Sequence, residues 1–305
     1  MEYVNLGNGN ISSSRLIYGC MRIAGDNSYE SRKKGKRAIR KAIDEGFNHF
    51  DHADIYEKGI CEDIFSDVMK EIPGLRDKLL ITGKCGIISK NNPYKGNPMR
   101  YDFSKKHIIR SVEGSLSRLN VDYLDFLLLH RPDYLLNGEE VSETFQLLRE
   151  SEKVRHFGVS NFGPSQVSLL QSYCSFPLLV NQVEINIHNI SALLDGTLDQ
   201  CEEMNIIPQA WSPLAGVAYP VWGNTFAKKV EIRIKKELEF QSKKYNSEGW
   251  IIMLAWLMRH PAKILPIIGS TTPSRIAAAK QSLDIDYSRE DWYRLLEARN
   301  GYPVP

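Results

Sequence analysis

The sequence contains few cysteines, and they form no recognisable pattern. The five residues are odd in number and scattered, and no two have the C-x-x-C spacing: Cys20, Cys61, Cys85, Cys174 and Cys201. A disulfide framework or a zinc site requires paired or closely spaced cysteines, so we predict neither, and we predict no metal site. Dispersed thiols fit a reducing compartment, and we therefore expect a cytoplasmic location.

An excess of charge of one sign and a long apolar run are both missing. The 39 Lys and Arg residues nearly balance the 37 Asp and Glu residues, which leaves a formal charge of +2. Such a chain has no overall field to attract nucleic acid or an anionic membrane surface. Its most apolar segment, Trp250 to Met258, is far shorter than the roughly 20 residues of a membrane span. We expect neither partner, and no pattern indicates an oligomeric state.

Strand-like and helix-like segments alternate from Leu16 onward. Eight strand-like segments, each followed by a helical pattern, are Leu16–Gly19, Phe47–Asp51, Leu79–Thr82, Leu124–Leu129, Phe157–Val159, Leu178–Glu184, Ile206–Trp211 and Ile264–Ile268. Several of them are almost continuously apolar, which is typical of a parallel sheet buried on both faces. The regular alternation predicts parallel strands joined by helical crossovers.

This alternation fits either an eight-stranded barrel or an open doubly wound sheet. An open dinucleotide-binding sheet should carry G-x-G-x-x-G after its first strand, and Gly19-Cys20-Met21-Arg22 does not supply it. We therefore predict an α/β fold, a (β/α)8 TIM barrel. No linker or repeat divides residues 1–305, so we expect a single domain. Apolar pieces around Gly7-Asn8-Gly9-Asn10 predict an N-terminal β-hairpin that covers the bottom of the barrel.

Reactive side chains stand at three consecutive predicted strand ends. In a TIM barrel the active site lies where strands end and βα loops begin. Asp51 ends the second strand and Tyr56 follows in its loop, while Lys84 follows the third strand and His130 the fourth. Singly, each has a structural explanation as a turn residue, a solvated strand end or a core histidine. Together, an acid, a phenol, an amine and an imidazole indicate a catalytic site.

Matching stretches extend over nearly the whole chain, in order. They are Asp51-His52-Ala53-Asp54-Ile55-Tyr56, Lys84, Ser111–Leu116, Asp122–Asp125, His130-Arg131-Pro132-Asp133, Gly158–Phe162, Asn181–Glu184, Trp211–Leu214, Pro266–Ser270 and Arg275. With these motifs the sequence resembles the aldo-keto reductase family, above all a bacterial branch with short loops. The resemblance implies an enzyme that reduces a small-molecule aldehyde or ketone with NADPH.

The resemblance also implies roles for the four strand-end residues. Tyr56 would be the general acid, Lys84 would assist it, Asp51 would hold Lys84, and His130 would orient the substrate carbonyl. A free phenol has a pKa near ~10, which is poorly matched to neutral pH. We expect the Lys84 ammonium to favour the phenolate and lower that pKa.

Contacts to the cofactor carry over from the family in the same way. Ser160, Asn161 and Gln182 would bind the nicotinamide carboxamide, and Trp211 would stack on the ring. The stretches implied to hold the phosphates are Ser212, Pro213, Leu214 and Gly216, then Gly269, Ser270, Thr271 and Thr272 before a helix, and finally Arg275 on the 2′-phosphate. NADPH is the favoured cofactor, but many members have a lysine in place of Gly269, so NADH stays open as an alternative.

Two other functions fit parts of the pattern. A barrel lyase could use Lys84 to form a Schiff base, but it would leave Tyr56 and the set Ser160, Asn161 and Gln182 unexplained. A cofactor-sensing module on the same fold, like the β subunits of potassium channels, would not need an intact tetrad. Arg22 and Arg131 fit either contact with an anionic substrate or a surface ion pair.

Overall fold

The computed structural model describes residues 1–7, 11–214 and 227–304. Within these ranges the chain forms the strands β1 Tyr3–Leu6, β2 Ile11–Ser14, β3 Ile17–Gly19, β4 His49–Asp51, β5 Leu80–Cys85, β6 Ile87–Ile88, β7 Arg100–Tyr101, β8 Leu124–Leu129, β9 Val154–Ser160, β10 Val180–Glu184, β11 Ile207–Trp211 and β12 Leu265–Ile268. It also forms the helices α1 Tyr29–Asp44, α2 Ile60–Glu71, α3 Lys105–Leu119, α4 Gly138–Glu150, α5 Pro164–Tyr173, α6 Thr197–Glu203, α7 Lys228–Tyr245, α8 Gly249–Met258, α9 Pro273–Ala278 and α10 Arg289–Asn300.

Eight parallel strands close into a barrel, which confirms the predicted TIM barrel. Their order around the barrel is β3, β4, β5, β8, β9, β10, β11 and β12, with β12 returning to β3. All six residues of β8 are buried, as expected for a strand covered on both faces. Helix α1 buries an apolar stripe that includes Ala38, Ile39 and Ala42, whereas α8 is buried on all sides from Ile251 to Leu257.

The antiparallel pair of β1 and β2 forms the predicted hairpin and closes one end of the barrel. Leu6 is fully buried and packs with Ile17, Phe126 and Leu265 of the barrel interior. Arg15, directly after β2, donates hydrogen bonds to backbone carbonyls that include Met258 and Lys263. We call this end, formed by the hairpin and the amino ends of the barrel strands, the floor. The opposite rim, formed by their carboxyl ends, is the mouth.

Two barrel strands differ from the sequence-based prediction by three residues. Strand β9 begins at Val154 rather than Phe157, and β5 extends to Cys85 rather than ending at Thr82, so Lys84 lies inside the strand. The segment after β5 contains the short antiparallel pair of β6 and β7. Between β10 and β11, a 3₁₀ turn at Ser191–Leu193 is separated from α6 by Gly196, whose φ of 84° is a left-handed conformation that interrupts a helix.

Candidate active site

The loop after β4 carries Tyr56 back over the neighbouring strand. The main chain continues beside β5, since the His52 amide donates to Thr82 O at 2.8 Å and the Asp54 amide to Lys84 O at 3.1 Å. A turn then follows, in which Tyr56 N donates to Ala53 O at 3.1 Å. The backbone pairing therefore fixes Tyr56 beside Lys84, although the two residues are far apart in sequence.

Asp51 and Lys84 form a buried ion pair at the mouth. Lys84 Nζ donates to Asp51 Oδ1 at 2.5 Å and to His52 O at 2.8 Å. The Lys84 side chain is 1% exposed and that of Asp51 is 4% exposed, so water does not screen the pair. Asp51 pairs with Thr82 in the β4–β5 register, and Lys84 lies two residues further on the same face of β5.

Tyr56 and His130 complete the predicted tetrad. Lys84 Nζ lies 5.0 Å from the centroid of the Tyr56 ring. The rings of Tyr56 and His130 are 6.0 Å apart and almost perpendicular, at 81°. His130 Nδ1 is buried and has no hydrogen-bond partner among the described residues. The structure therefore brings all four residues together and leaves the imidazole uncommitted.

The electrostatics at Tyr56 correct one expectation. Burial, and after it the negative charge of Asp51, raise the pKa of the Tyr56 phenol well above its ordinary value, whereas we expected Lys84 to lower it. The physical reason is that the Lys84 charge is already compensated by Asp51 at 2.5 Å. Burial lowers the pKa of Lys84, and the Asp51 carboxylate opposes that shift. Burial, followed by the charge of Lys84, lowers the pKa of His130, which is therefore neutral at pH 7.

The predicted nicotinamide-binding residues form a hydrogen-bonded chain across the mouth. Trp211 Nε1 donates to Asn161 Oδ1 at 2.9 Å, and Asn161 Nδ2 donates to Ser160 Oγ at 2.9 Å and to His130 O at 3.2 Å. Ser160 Oγ in turn donates to Gln182 O at 2.8 Å. Asn161 adopts a φ of 62°, a left-handed conformation that asparagine tolerates better than most residues. The chain joins the ends of β8, β9, β10 and β11.

Gln182 connects this chain to the tetrad. Its Nε2 donates to Asp51 Oδ1 at 2.8 Å and to Gln209 Oε1 at 3.0 Å. Gln209 is fully buried inside the barrel, and sequence reasoning missed it. The available signal was an amide placed between Pro208 and Ala210 in an otherwise apolar strand.

The other predicted cofactor residues lie at the ends of β11 and β12. Ser212, Pro213 and Leu214 follow β11, and Gly216 lies outside the described residues. Gly269, Ser270, Thr271 and Thr272 connect β12 to α9, on which Arg275 is exposed. Within the described ranges, no hydrogen bond joins Ser212–Leu214 or Gly269–Thr272 to the tetrad. Tyr18 Oη of β3 donates to Ser270 O at 3.0 Å.

In residues 1–7, 11–214 and 227–304, no three His, Cys, Asp or Glu side chains are grouped so that they could hold a metal ion. None of the helices in those ranges combines the length with the apolar character that crossing a membrane demands.

Comparison with known proteins agrees with this geometry. The family model described as "Aldo/keto reductase family" matches residues 15–300, which include all four tetrad residues. The chain belongs to the aldo/keto reductase family. Over 296 residues it is 40% identical to the uncharacterized oxidoreductase YcsN of Bacillus subtilis, covering 96% of both chains. It is 36% identical over 294 residues to a 6-dehydroglucose reductase of Agrobacterium fabrum, covering 95% of this chain and 96% of the relative.

Solved aldo-keto reductases share the barrel. A thermostable member in complex with the inhibitor epalrestat is 25% identical, with a TM-score of 0.82, over 98% of this chain and 100% of that chain. An aldo-keto reductase from Klebsiella pneumoniae in complex with NADPH is 23% identical, with a TM-score of 0.77, over 100% of this chain and 96% of that chain. At that identity the second comparison supports the fold alone.

Proposed function

We propose that this aldo-keto reductase reduces an aldehyde or ketone to an alcohol with NADPH. The observation that carries the proposal is the convergence of Asp51, Lys84, Tyr56 and His130 at the mouth of the barrel. The relative from Agrobacterium fabrum is named as a reductase of a dehydroglucose, which supports a carbonyl substrate. Membership of the aldo/keto reductase family supports a nicotinamide cofactor.

Tyr56 would donate the proton to the carbonyl oxygen. Because burial and Asp51 raise its pKa, the phenol is protonated at neutral pH, as a general acid must be before reaction. NADPH, when bound, supplies the hydride that reaches the carbonyl carbon. Loss of this proton leaves Tyr56 as a phenolate, with the Lys84 ammonium 5.0 Å from the centroid of its ring, and solvent then restores the proton.

Asp51 and His130 support this transfer in different ways. Asp51 keeps Lys84 charged against the effect of burial, because an unpaired ammonium in this environment would tend to lose its proton. Neutral His130 carries one N–H group, which can donate a hydrogen bond to the substrate oxygen. Its Nδ1 has no competing partner among the described residues.

The residues at the mouth fit a nicotinamide cofactor. Gln182 Nε2 is engaged by Asp51 and Gln209, whereas its Oε1 accepts no hydrogen bond from a described residue and can receive the carboxamide N–H. A Cβ atom built at Gly269 would meet only Gly19 O at 3.9 Å, so this position faces space that the protein does not fill. Residues that would hold the cofactor are Ser160, Asn161, Gln182, Trp211, Ser212, Pro213, Leu214, Gly216, Gly269, Ser270, Thr271 and Thr272, with Arg275 on the 2′-phosphate.

The change Tyr56→Phe tests this proposal. It removes the proton donor but keeps the ring, so we expect kcat to fall by about 10²- to 10⁴-fold on a panel of aldehydes. NADPH affinity, measured by quenching of tryptophan fluorescence, should change by less than about 2-fold, because the phenol hydroxyl acts on the substrate in the transition state and is not one of the groups proposed to bind NADPH.

Tyr123→Phe is the matched control, because Tyr123 lies at the floor, where Arg76 and Arg155 stack on its ring. It should retain full activity. Turnover that survives in Tyr56→Phe would contradict the general-acid role. A protein that does not bind NADPH would fit the lyase alternative, and one that binds it without turnover would fit the sensor.

A further inference from the structure

Arg131 reaches across the mouth from the strand that carries His130. It follows His130 directly, at the end of β8, and its guanidinium carbon lies 5.4 Å from the centroid of the Trp211 ring. Trp211 ends β11, which is separated from β8 in the barrel by β9 and β10. The indole is itself fixed by the hydrogen bond to Asn161. The guanidinium therefore lies against an indole that is fixed in position, and Arg131 is half-buried.

Arg131 has no counterion in the described part of the chain. No described carboxylate oxygen lies within 4.0 Å of it, and it forms no described hydrogen bond. The nearest acid in sequence, Asp133, instead accepts a hydrogen bond from Leu135 N at 2.9 Å. Residues 8–10 and 215–226, which lie outside the described ranges, contain no Asp or Glu. A half-buried cation without a partner among the described residues retains the capacity to bind an anion.

The mode of contact shows which anion would suit it. The guanidinium carbon lies 5.4 Å from the centroid of the Trp211 ring, and the N–H groups of Arg131 form no hydrogen bond with a described residue, so they are available to a ligand. Those groups match a carboxylate, which accepts two parallel hydrogen bonds in one plane. The positive charge also acts on both Tyr56 and His130, so the guanidinium lies within electrostatic range of the reacting groups.

We propose that Arg131 determines substrate specificity by binding a carboxylate, so that the preferred substrate is an aldehyde or ketone that also carries a carboxylate group. This inference rests on the proposed reductase function and names the substrate class of the same site. The contact is made equally in the ground state and in the transition state, because the carboxylate does not take part in the reaction. Its loss should therefore appear mainly in KM rather than in kcat.

The test compares two aldehydes that differ at the end away from the aldehyde group, which is a charged carboxylate in one and a neutral methyl ester in the other. The substrates are 4-carboxybenzaldehyde and its neutral methyl ester, methyl 4-formylbenzoate, and the proteins are wild type, Arg131→Gln, Arg131→Lys and Arg155→Gln. Arg155 is the control because it lies near the floor, where it stacks on Tyr123 and pairs with Asp125 at 3.5 Å. Binding of benzoate to each protein saturated with NADP⁺ is measured by calorimetry, independently of turnover.

We expect the wild type to favour the carboxylate, and Arg131→Gln to lose about 10- to 100-fold in kcat/KM for it, the scale of a charge-assisted hydrogen bond. Ester reduction should fall by a smaller factor, because it loses only the effect of the charge on Tyr56 and His130, and NADPH affinity should stay within about 2-fold. Arg131→Lys should recover part of the preference, and benzoate binding should weaken in parallel. Arg155→Gln should match the wild type in all three measurements.

Equal losses for both aldehydes, a changed NADPH affinity, or no preference for the carboxylate in the wild type would each overturn the inference while leaving the reductase function intact. Failure to reduce either aldehyde, together with benzoate binding that ignores Arg131→Gln, would overturn both the inference and the proposed function. Arg131-dependent benzoate binding without reduction would support the carboxylate site and count against the reductase function alone.

Discussion

The two ends of the barrel each hold a histidine, and the hydrogen-bond partners of the two imidazoles differ. At the floor, His49 Nδ1 lies 2.9 Å from Ser13 Oγ and Nε2 lies 2.7 Å from Thr82 Oγ1, so both ring nitrogens have partners. At the mouth, His130 Nδ1 is buried and has no partner among the described residues. Burial lowers the pKa of both side chains, so both are neutral at pH 7.

The difference lies in what each end is built to do. At the floor, His49 lies between two hydroxyls, and Arg15 donates to backbone carbonyls. At the mouth, neither Arg131 nor Nδ1 of His130 has a hydrogen-bond partner among the described residues. A buried polar group without a partner costs stability, so such groups persist where a ligand supplies the missing contact.

Replacing the histidine at the mouth should have the largest effect in this comparison. We expect His130→Gln to lower kcat/KM by about 10²-fold or more, the usual contribution of a positioned acid–base group. The free energy of unfolding in urea should change by less than about 0.5 kcal/mol, because no described hydrogen bond to the imidazole is lost. A variant that is much less stable but fully active would make His130 a structural residue like His49 and would erase the contrast.

The corresponding change at the floor should show the reverse. His49→Leu leaves the hydroxyls of Ser13 and Thr82 buried without this partner, so we expect a loss of about 2 kcal/mol in unfolding free energy. Reduction of the preferred aldehyde per folded molecule should remain within about 2-fold. Activity is measured on protein checked for its folded fraction, and a strong loss of kcat without a loss of stability would argue against a purely structural floor.

The smallest expected effect is a pH dependence of stability. Burial, and then the charge of Lys84, lower the pKa of His49 to about 3, while in the unfolded chain it is about 6.5. Between these values the unfolded state takes up a proton that the folded state refuses, so stability is present above pH 6.5 and is lost as pH falls. From pH 7 to 5.5 this should cost about 1 kcal/mol.

Urea unfolding of the wild type and of His49→Leu at both pH values checks this effect. The variant should lose about 1 kcal/mol less than the wild type on acidification, because it no longer carries this group. The same pH dependence in both proteins would mean that His49 is protonated in the folded state, and the two histidines would then differ in charge as well as in partners.

Much of this arrangement could be predicted from the sequence. The barrel strands were located because each is a short apolar run that stops at a polar residue, as β8 does before His130. Asp51, Tyr56, Lys84 and His130 followed from the position of strand ends in a TIM barrel and from the family resemblance. The start of β9 could not be predicted in the same way, because polar residues follow Val154 in Val154-Arg155-His156 and no apolar run marks the beginning of the strand.

The rest depended on contacts that no local pattern records. Gln182 and Asp51 are separated by 131 positions, and their hydrogen bond depends on one side-chain conformation. The direction of the Tyr56 pKa shift depended on how burial and Asp51 weigh against Lys84, which strand positions alone do not give. Arg131 was equally suited to a surface ion pair until its place against Trp211 was known.

The bond between Gln182 and Asp51 has a consequence for molecular polarity. A carboxylate can only accept, so the negative charge of Asp51 forces the amide of Gln182 to turn its NH₂ group inward. The carbonyl oxygen of that amide must then point the other way. The charge of Asp51 thus determines that Gln182 presents its carbonyl oxygen to a ligand. A ligand that donates a hydrogen bond can bind there, and one that only accepts hydrogen bonds cannot. Neutralising Asp51 would free the amide to rotate and would remove that distinction.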